Sequence, residues 1–212
     1  YLLERARNLE CTSIVGVSNM GKSDLLRTLQ EPDVQRAFDV QSPPQVALIY
    51  IDCNRMLEMS EQGFYELTLR CILETLAERK NDPAQERWVK QVRAGYEHLL
   101  NPSSSFHVPL GFNQAITAVN EEWDQGIVLL FDEFDEPLAT IDRRVFLNLR
   151  ALKDQYPQRI GYIVATERRL GNIRSDREVG EFIELFAHFT FYLGPLSEAD
   201  SRDFIHRHAE HS

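Results

Sequence analysis

The stretch SIVGVSNMGKSDLL, residues 13–26, decides the fold of this chain, because an apolar run breaks into glycines and then into a helical pattern. It contains the pattern G-x-x-x-x-G-K-[ST] in full, after a predicted strand and at the start of a predicted helix. Gly16 and Gly21 permit positive φ angles and a close backbone approach, so successive amides can surround phosphate oxygens. Lys22 is expected to reach the β- and γ-phosphates, and the Ser23 hydroxyl to join a Mg²⁺ shell. The residues predicted to bind the nucleotide are Gly16, Ser18, Asn19, Met20, Gly21, Lys22, Ser23 and Asp24.

A second motif, IVLLFDEFDE at residues 127–136, ends an apolar strand in carboxylates. Asp132 at the strand end is expected to hold the Mg²⁺, and Glu133 beside it can orient and deprotonate an attacking water. Because neighbours on an extended strand point to opposite faces, the two carboxylates are not expected to ligate one ion together. The motif therefore predicts divided roles, with Asp132 for the metal and Glu133 as the general base. Taken alone, the same residues would also suit a solvated acidic turn.

A third motif, YIVATERRL at residues 162–170, places Thr166 and Arg168 at the end of another apolar run. Open α/β sheets bind ligands at the carboxyl ends of their strands. An arginine there can contact the γ-phosphate and report whether it is present, since its forked donors match phosphate oxygens. Thr166 and Arg168 are therefore predicted site residues, the alternative for Arg168 being a basic helix start on the surface. Asn54, after the second strand, is either a turn residue or a group that orients the base.

Five short apolar runs are strand candidates, and the middle three are almost continuously apolar, as strands buried on both faces are. They span 12–17, 46–52, 126–132, 159–166 and 188–194. Segments with helical spacing lie between them, at 21–30, 63–80, 84–100, 110–124 and 142–155. This alternation predicts an α/β fold with a parallel sheet flanked by helices. Three helical segments lie between the second and third strands, where a crossover needs only one, so an insertion is predicted at about 60–124. It could cover the site, contact a partner or simply add packing on the sheet.

Composition narrows the class of protein. The 212 residues carry 23 basic and 33 acidic side chains, a net charge of −10, which weighs against direct nucleic-acid binding by this domain. The three cysteines fit no metal spacing, and their odd number suits the reducing cytoplasm. No apolar run approaches the roughly 18 residues that span a bilayer, so no membrane partner is expected. The first residue, Tyr1, and the polar end HRHAEHS suggest a fragment of a longer protein.

Together, these motifs resemble the STAND class of signal-transduction ATPases, which is related to AAA+ proteins. The resemblance lies in IVLLFDEFDE, in the helix FLNLRAL and IVATER that follow it, and in EFIELFAHFTFYLGPLSEADSRDFI at 181–205. It implies a P-loop NTPase of the AAA+/STAND type, with a five-stranded, mainly parallel sheet in the order 5-1-4-3-2. It also implies ATP (or ADP) as nucleotide, a core at 1–195 and the start of a helical lid at 196–212. The Gly-Arg-Glu segment and the Gly-x-Pro lid motif of such proteins are absent, which leaves adenine recognition open.

Three functions fit these features. The first is an ATP switch reset by slow hydrolysis, with other domains of the same chain and a homo-oligomer on activation as its partners. The second is a ring-forming AAA+ ATPase, a loader or remodeller, that takes an arginine from a neighbouring subunit. The arginines available for that role are Arg143, Arg144, Arg174 and Arg177. The third is a module that binds nucleotide without hydrolysing it, against which Glu133 argues.

Overall fold

A five-stranded parallel sheet forms the centre of the computed structural model, which describes residues 1–38, 46–77, 83–123 and 125–195. The strands are β1 (Thr12–Val15), β2 (Val46–Asp52), β3 (Gly126–Asp132), β4 (Ile160–Thr166) and β5 (Thr190–Tyr192). Their order across the sheet is β2-β3-β4-β1-β5, and all four neighbouring pairs are parallel. This is the predicted order 5-1-4-3-2 counted from the opposite edge. The fold-class prediction is therefore confirmed.

Successive residues of the central strands point to opposite faces of the sheet, and both faces are covered. In β3, Ile127, Leu129 and Phe131 belong to one apolar cluster, whereas Val128 and Leu130 belong to another. Every residue of β3 and of β4 is buried. Burial on both sides removes the need for polar residues at alternate positions, which explains why these strands are almost continuously apolar.

Helices form a layer on each side of the sheet. They are α1 (Leu2–Arg7), α2 (Lys22–Gln30), α3 (Pro32–Phe38), α4 (Glu61–Ala77), α5 (Pro83–Leu100), α6 (His107–Glu122), α7 (Asp135–Thr140), α8 (Arg143–Gln155), α9 (Leu170–Ile173) and α10 (Arg177–Ile183). Short 3₁₀ turns lie at Cys53–Arg55 and Glu184–Phe186. α1 and α2 contribute Leu3 and Leu26 to the cluster that contains Val128. α4, α5, α6, α8 and α10 contribute to the cluster on the opposite face. The result is the three-layer arrangement that buries both faces of a parallel sheet.

The three helices between β2 and β3 form two layers. α4 lies against the sheet, where Phe64 stacks on Phe131 with ring centroids 5.3 Å apart. α6 packs on the outer side of α4, where Phe112 stacks on Tyr65 at 4.2 Å. α5 pairs with α6, and its C-terminal end is tied to α4 by a 2.6 Å hydrogen bond from the Gln62 side chain to the Leu99 carbonyl. In the described residues, α5 and α6 therefore form a second layer over α4. The insertion predicted at about 60–124 includes all three helices and stays a prediction.

Two predicted segments lie in residues that the structure does not describe. The expected start of a lid at 196–212 and the end of the helix predicted at 63–80 lie beyond the described residues. Within the described ranges, no helix combines the length and the apolar character that a membrane crossing requires.

Candidate nucleotide site

The three sequence motifs meet at one edge of the sheet. β4 lies between β3 and β1, so the carboxyl ends of these strands are neighbours. Val15 at the end of β1 is in register with Thr166 at the end of β4, and Asp132 ends β3 beside them. The sheet therefore brings together side chains that are far apart in sequence, at the edge where α/β proteins bind ligands.

The loop between β1 and α2 has the backbone that phosphate binding requires. Asn19 and Gly21 both adopt left-handed conformations, with φ of 63° and 82°. The Gly16 amide donates a 3.0 Å hydrogen bond to the Thr166 carbonyl, which anchors the start of the loop to β4. A Cβ atom on Gly16 would lie only 3.1 Å from Cβ and O of Leu193, so a larger residue would force the two segments apart. α2 begins at Lys22, and its first amides have no intrahelical acceptors.

Lys22 is held inside this loop. Its Nζ donates to the carbonyl oxygens of Gly16 at 2.7 Å and Val17 at 3.3 Å, and the residue is only 4% exposed. Buried ammonium groups need such acceptors, because burial without a hydrogen bond or an opposite charge is costly. The ammonium is therefore oriented before any phosphate arrives, and phosphate oxygens could take over from the carbonyls.

Asp132 is a buried carboxylate, 1% exposed, with a hydrogen-bond donor on each oxygen. The Tyr50 hydroxyl donates to Oδ2 at 2.7 Å, and the Glu133 amide donates to Oδ1 at 3.0 Å. Burial, followed by the hydrogen bond to Asp132, raises the pKa of Tyr50, so the phenol stays protonated as a donor. Among the described residues, no Lys, Arg or His forms an ion pair with Asp132. A buried carboxylate of this kind fits a cation.

Ser23 and Asp132 are suited to a Mg²⁺ ion that substrate phosphates and water complete. Ser23 lies in the first turn of α2, and α2 packs on the sheet face to which Val128, Leu130 and, by strand alternation, Asp132 point. In the described part of the chain, no three His, Cys, Asp or Glu side chains form a group that could hold a metal. Mg²⁺ usually takes one or two carboxylates plus phosphates and water, so this sparse donor set suits it.

Glu133 does not continue the strand. It adopts a φ of 52°, a left-handed conformation that costs a non-glycine residue of order 1–3 kcal/mol and tends to occur at functional sites. The expectation that Asp132 and Glu133 diverge through strand alternation is therefore wrong in its geometry, because the turn sets the direction of Glu133. Burial, followed by the negative charge of Asp132, raises the pKa of Glu133, and the Lys22 ammonium opposes the shift. Glu133 therefore shares one electrostatic environment with both residues.

The turn after β4, which carries Arg168, is fixed by hydrogen bonds. The Thr166 hydroxyl is buried and donates to the Arg168 carbonyl at 2.8 Å, and the Glu167 amide donates to Oδ2 of Asp135 at 2.8 Å. The Arg168 side chain is exposed and has no partner among the described residues. The neighbouring Arg169 lies over the Tyr192 ring, 5.0 Å from its centroid. Both arginines are exposed, and Arg168 is the one without a partner in the described part of the chain.

Two residues of this site escaped the sequence analysis. Tyr50 is two residues before the end of β2, and Asp135 follows the acidic pair. The signal for Tyr50 was a polar group inside an apolar strand, two positions before the terminal Asp52, which is the register partner of Asp132. Asn54 lies exposed in the 3₁₀ turn after β2, where its amide donates to the Asp52 side chain at 3.0 Å.

Comparison of the sequence with protein-family models and with curated proteins found no match. Solved structures do match. The Orc2 protein of Aeropyrum pernix in its ADP form has a TM-score of 0.62 and 14% identity over 99% of this chain and 49% of its own. Orc1 of the same organism, solved in complex with DNA, has a TM-score of 0.62 and 12% identity, covering 99% of this chain and 48% of its own. A Walker-type ATPase of Pyrococcus abyssi has a TM-score of 0.57 and 16% identity, covering 97% of this chain and 55% of its own.

These likenesses establish the fold. The chain shares the fold of these Orc and Cdc6 structures over almost its whole length. It spans about half the length of the first two structures named. The narrower resemblance to the STAND class is not confirmed by them.

Proposed function

We propose that this P-loop domain binds ATP with Mg²⁺, hydrolyses it slowly, and serves as a nucleotide-dependent switch in a larger signalling or regulatory protein. The observation that carries the proposal is the shared environment of Lys22, Asp132 and Glu133. β1, which leads to Lys22, and β3, which ends at Asp132, flank β4, so the three residues meet at the carboxyl edge of the sheet. In agreement with this, the charges of Asp132 and Lys22 shift the pKa of Glu133 in opposite directions. The three buried, free cysteines suit a reducing compartment such as the cytoplasm.

Nucleotide binding would use the loop at 16–21 and the start of α2. The left-handed Asn19 and Gly21 allow the loop amides to face one anion, and Lys22 adds a positive charge. Adenine nucleotide is the proposed ligand, which is supported by the likeness to an Orc2 protein solved in an ADP form.

Hydrolysis would use Glu133 as the general base. A carboxylate with a raised pKa removes a proton from water more readily than an ordinary one, because its basicity is closer to what neutral-pH catalysis needs. Mg²⁺, held by Ser23 and Asp132, would supply positive charge for the phosphate oxygens. Phosphate transfer depends mainly on such positioning and charge stabilisation, so the domain alone is expected to turn over slowly until water is excluded from the site.

The switch would depend on Arg168. ATP and ADP differ only in the γ-phosphate, so a two-state device must contain a group that contacts that phosphate in one state and not in the other. Arg168 is the residue proposed for this role. Its backbone is fixed through Thr166, and its guanidinium has no partner within the described ranges.

Binding tests the proposal directly. Titration of the purified domain with ATP in the presence of Mg²⁺ should show saturable binding, and Lys22→Ala should abolish it. Lys90→Ala is the matched control, because Lys90 is an exposed lysine of α5 and should leave affinity unchanged. Wild-type affinity in Lys22→Ala would refute nucleotide binding by the loop.

A ring-forming AAA+ ATPase is the second candidate, favoured by the likeness to Orc/Cdc6 proteins. Such a ring needs an arginine that reaches a neighbour. Arg174 is unsuited, because it donates to the carbonyls of Leu138 and Ile141 and pairs with Asp176 in its own subunit. Arg177, at the start of α10, is exposed and has no partner among the residues described.

A further inference from the structure

We propose that Tyr50 is a positioning residue that holds the Asp132 carboxylate in the orientation required for Mg²⁺, an inference that rests on the metal role proposed for Asp132. The Tyr50 hydroxyl lies 2.7 Å from Oδ2 of Asp132, across 82 residues of sequence. It reaches the carboxylate from β2, the strand next to β3 in the sheet. No other side chain in the described ranges donates a hydrogen bond to Asp132.

The carboxylate of Asp132 is held at both oxygens. Tyr50 engages Oδ2 from the neighbouring strand, and the Glu133 amide engages Oδ1 from the following turn. Two donors in different directions leave the carboxylate a single orientation, with one lone pair of each oxygen already used. Groups that hydrogen-bond a metal-binding carboxylate orient it, and their loss typically weakens metal affinity 10–100-fold.

Tyr50 is itself held by the helix that carries the proposed metal hydroxyl. The Arg27 guanidinium lies over the Tyr50 ring, 5.2 Å from the centroid. Arg27 and Ser23 are four residues apart in α2 and therefore lie on the same side of the helix, one turn apart. Arg27 also pairs with Asp24, 3.5 Å away, although both side chains are largely exposed. The contacts therefore run from α2 through the Tyr50 ring to Asp132.

A purely structural tyrosine predicts a different behaviour. In that case, removal of the hydroxyl would lower the free energy of unfolding without changing the Mg²⁺ dependence of ATP binding. A positioning residue predicts that the Mg²⁺ dependence changes while metal-free ATP binding does not, because the loop at 16–21 and Lys22 do not contact Tyr50 through any described hydrogen bond.

The test compares Tyr50→Phe with Tyr96→Phe. Tyr96 in α5 is a matched control, since its hydroxyl donates a 2.8 Å hydrogen bond to the buried carboxylate of Glu66 in α4. ATP affinity is measured by calorimetry over a series of Mg²⁺ concentrations and in EDTA, with thermal unfolding followed in parallel. We expect Mg²⁺ to reach half of its full effect on ATP affinity at an about tenfold higher concentration in Tyr50→Phe than in the parent protein. The ATP affinity of Tyr50→Phe in EDTA should equal that of the parent protein. Tyr96→Phe should match the parent protein in ATP affinity both over the Mg²⁺ series and in EDTA.

Asp132→Asn distinguishes the positioning role proposed for Tyr50 from the metal role proposed for Asp132. If Asp132→Asn shifts the Mg²⁺ dependence and Tyr50→Phe does not, the positioning role of Tyr50 is overturned while the metal role of Asp132 stands. If neither variant shifts it, both roles are overturned. A lower Mg²⁺ requirement in Tyr50→Phe would also overturn the inference, because the hydroxyl would then be competing with the metal.

Discussion

The main-chain amide of Glu133 donates a 3.0 Å hydrogen bond to Oδ1 of Asp132, and Glu133 has the left-handed φ of 52° that ends the strand. One residue thereby helps to orient the buried carboxylate with its backbone and presents its own side chain next to it. Two terms are unfavourable: the left-handed backbone of Glu133 and the repulsion between the Glu133 and Asp132 carboxylates. The surrounding structure must compensate for both.

Replacing Glu133 by Gln should separate binding from hydrolysis. Gln keeps the size of the side chain and the backbone amide, but it has no basic carboxylate. We expect ATP affinity within about twofold of the parent and turnover lowered about a hundredfold or more, the usual contribution of a general base. Single-turnover assays measure the second quantity. Glu136→Gln, at an exposed position in α7, is the control, and parental turnover in Glu133→Gln would place the base elsewhere.

The same substitution should change how stability depends on pH. The pKa of Glu133 is raised in the folded protein, so the folded state favours the protonated side chain and stability is lost as pH rises through that pKa. Gln does not ionise. Glu133→Gln should therefore unfold at a higher temperature than the parent at pH 7, and the difference should disappear below about pH 4, where the glutamate is protonated in both states. Thermal unfolding of both proteins between pH 4 and pH 7 measures this difference. An unfolding temperature of Glu133→Gln equal to or below that of the parent at pH 7 would contradict the raised pKa.

Arg168→Ala should bring the affinities for ATP and ADP closer together. A charge-assisted hydrogen bond to the γ-phosphate is worth about 1.5–3 kcal/mol, so the ATP-to-ADP affinity ratio should fall about tenfold or more. Arg169→Ala serves as control, because Arg169 already contacts the Tyr192 ring. The ratio is obtained by calorimetry with both nucleotides. If it is the same in Arg168→Ala as in the parent, Arg168 does not detect the γ-phosphate.

Mixing the variants Arg177→Ala and Glu133→Gln distinguishes the switch from the ring. If Arg177 acts on a neighbouring site, Arg177→Ala lowers turnover, and mixing it with Glu133→Gln restores part of the activity, since some sites then combine an intact base with an intact neighbouring arginine. The proposed switch predicts parental turnover in Arg177→Ala and no gain on mixing. Turnover measured over a range of protein concentrations provides the comparison, and a gain on mixing would favour the ring.

The sequence by itself determined the class of fold, and it indicated the chemistry that is proposed for the site. The glycine spacing before Lys22 and the apolar runs that end in Asp132 and Thr166 predict strands and a phosphate loop, because burial on both faces and a tight anion-binding turn each demand particular residues. The sheet order, which came from the resemblance, is confirmed. The shorter helices α1, α3, α7 and α9, of four to seven residues, were not predicted, since so few residues hold too little periodicity.

Only the tertiary structure decided how the site residues are held. The Tyr50 hydroxyl meets Asp132 because β2 pairs with β3, and the Glu167 amide meets Asp135 because β4 pairs with β3 on its other side. The left-handed turn at Glu133 likewise overrides the alternation that the strand pattern implies. A sequence pattern describes which face a residue prefers, whereas hydrogen bonds between strands depend on register and on side-chain reach. The types of the predicted site residues could therefore be identified from the sequence, whereas their orientation relative to one another depends on the fold.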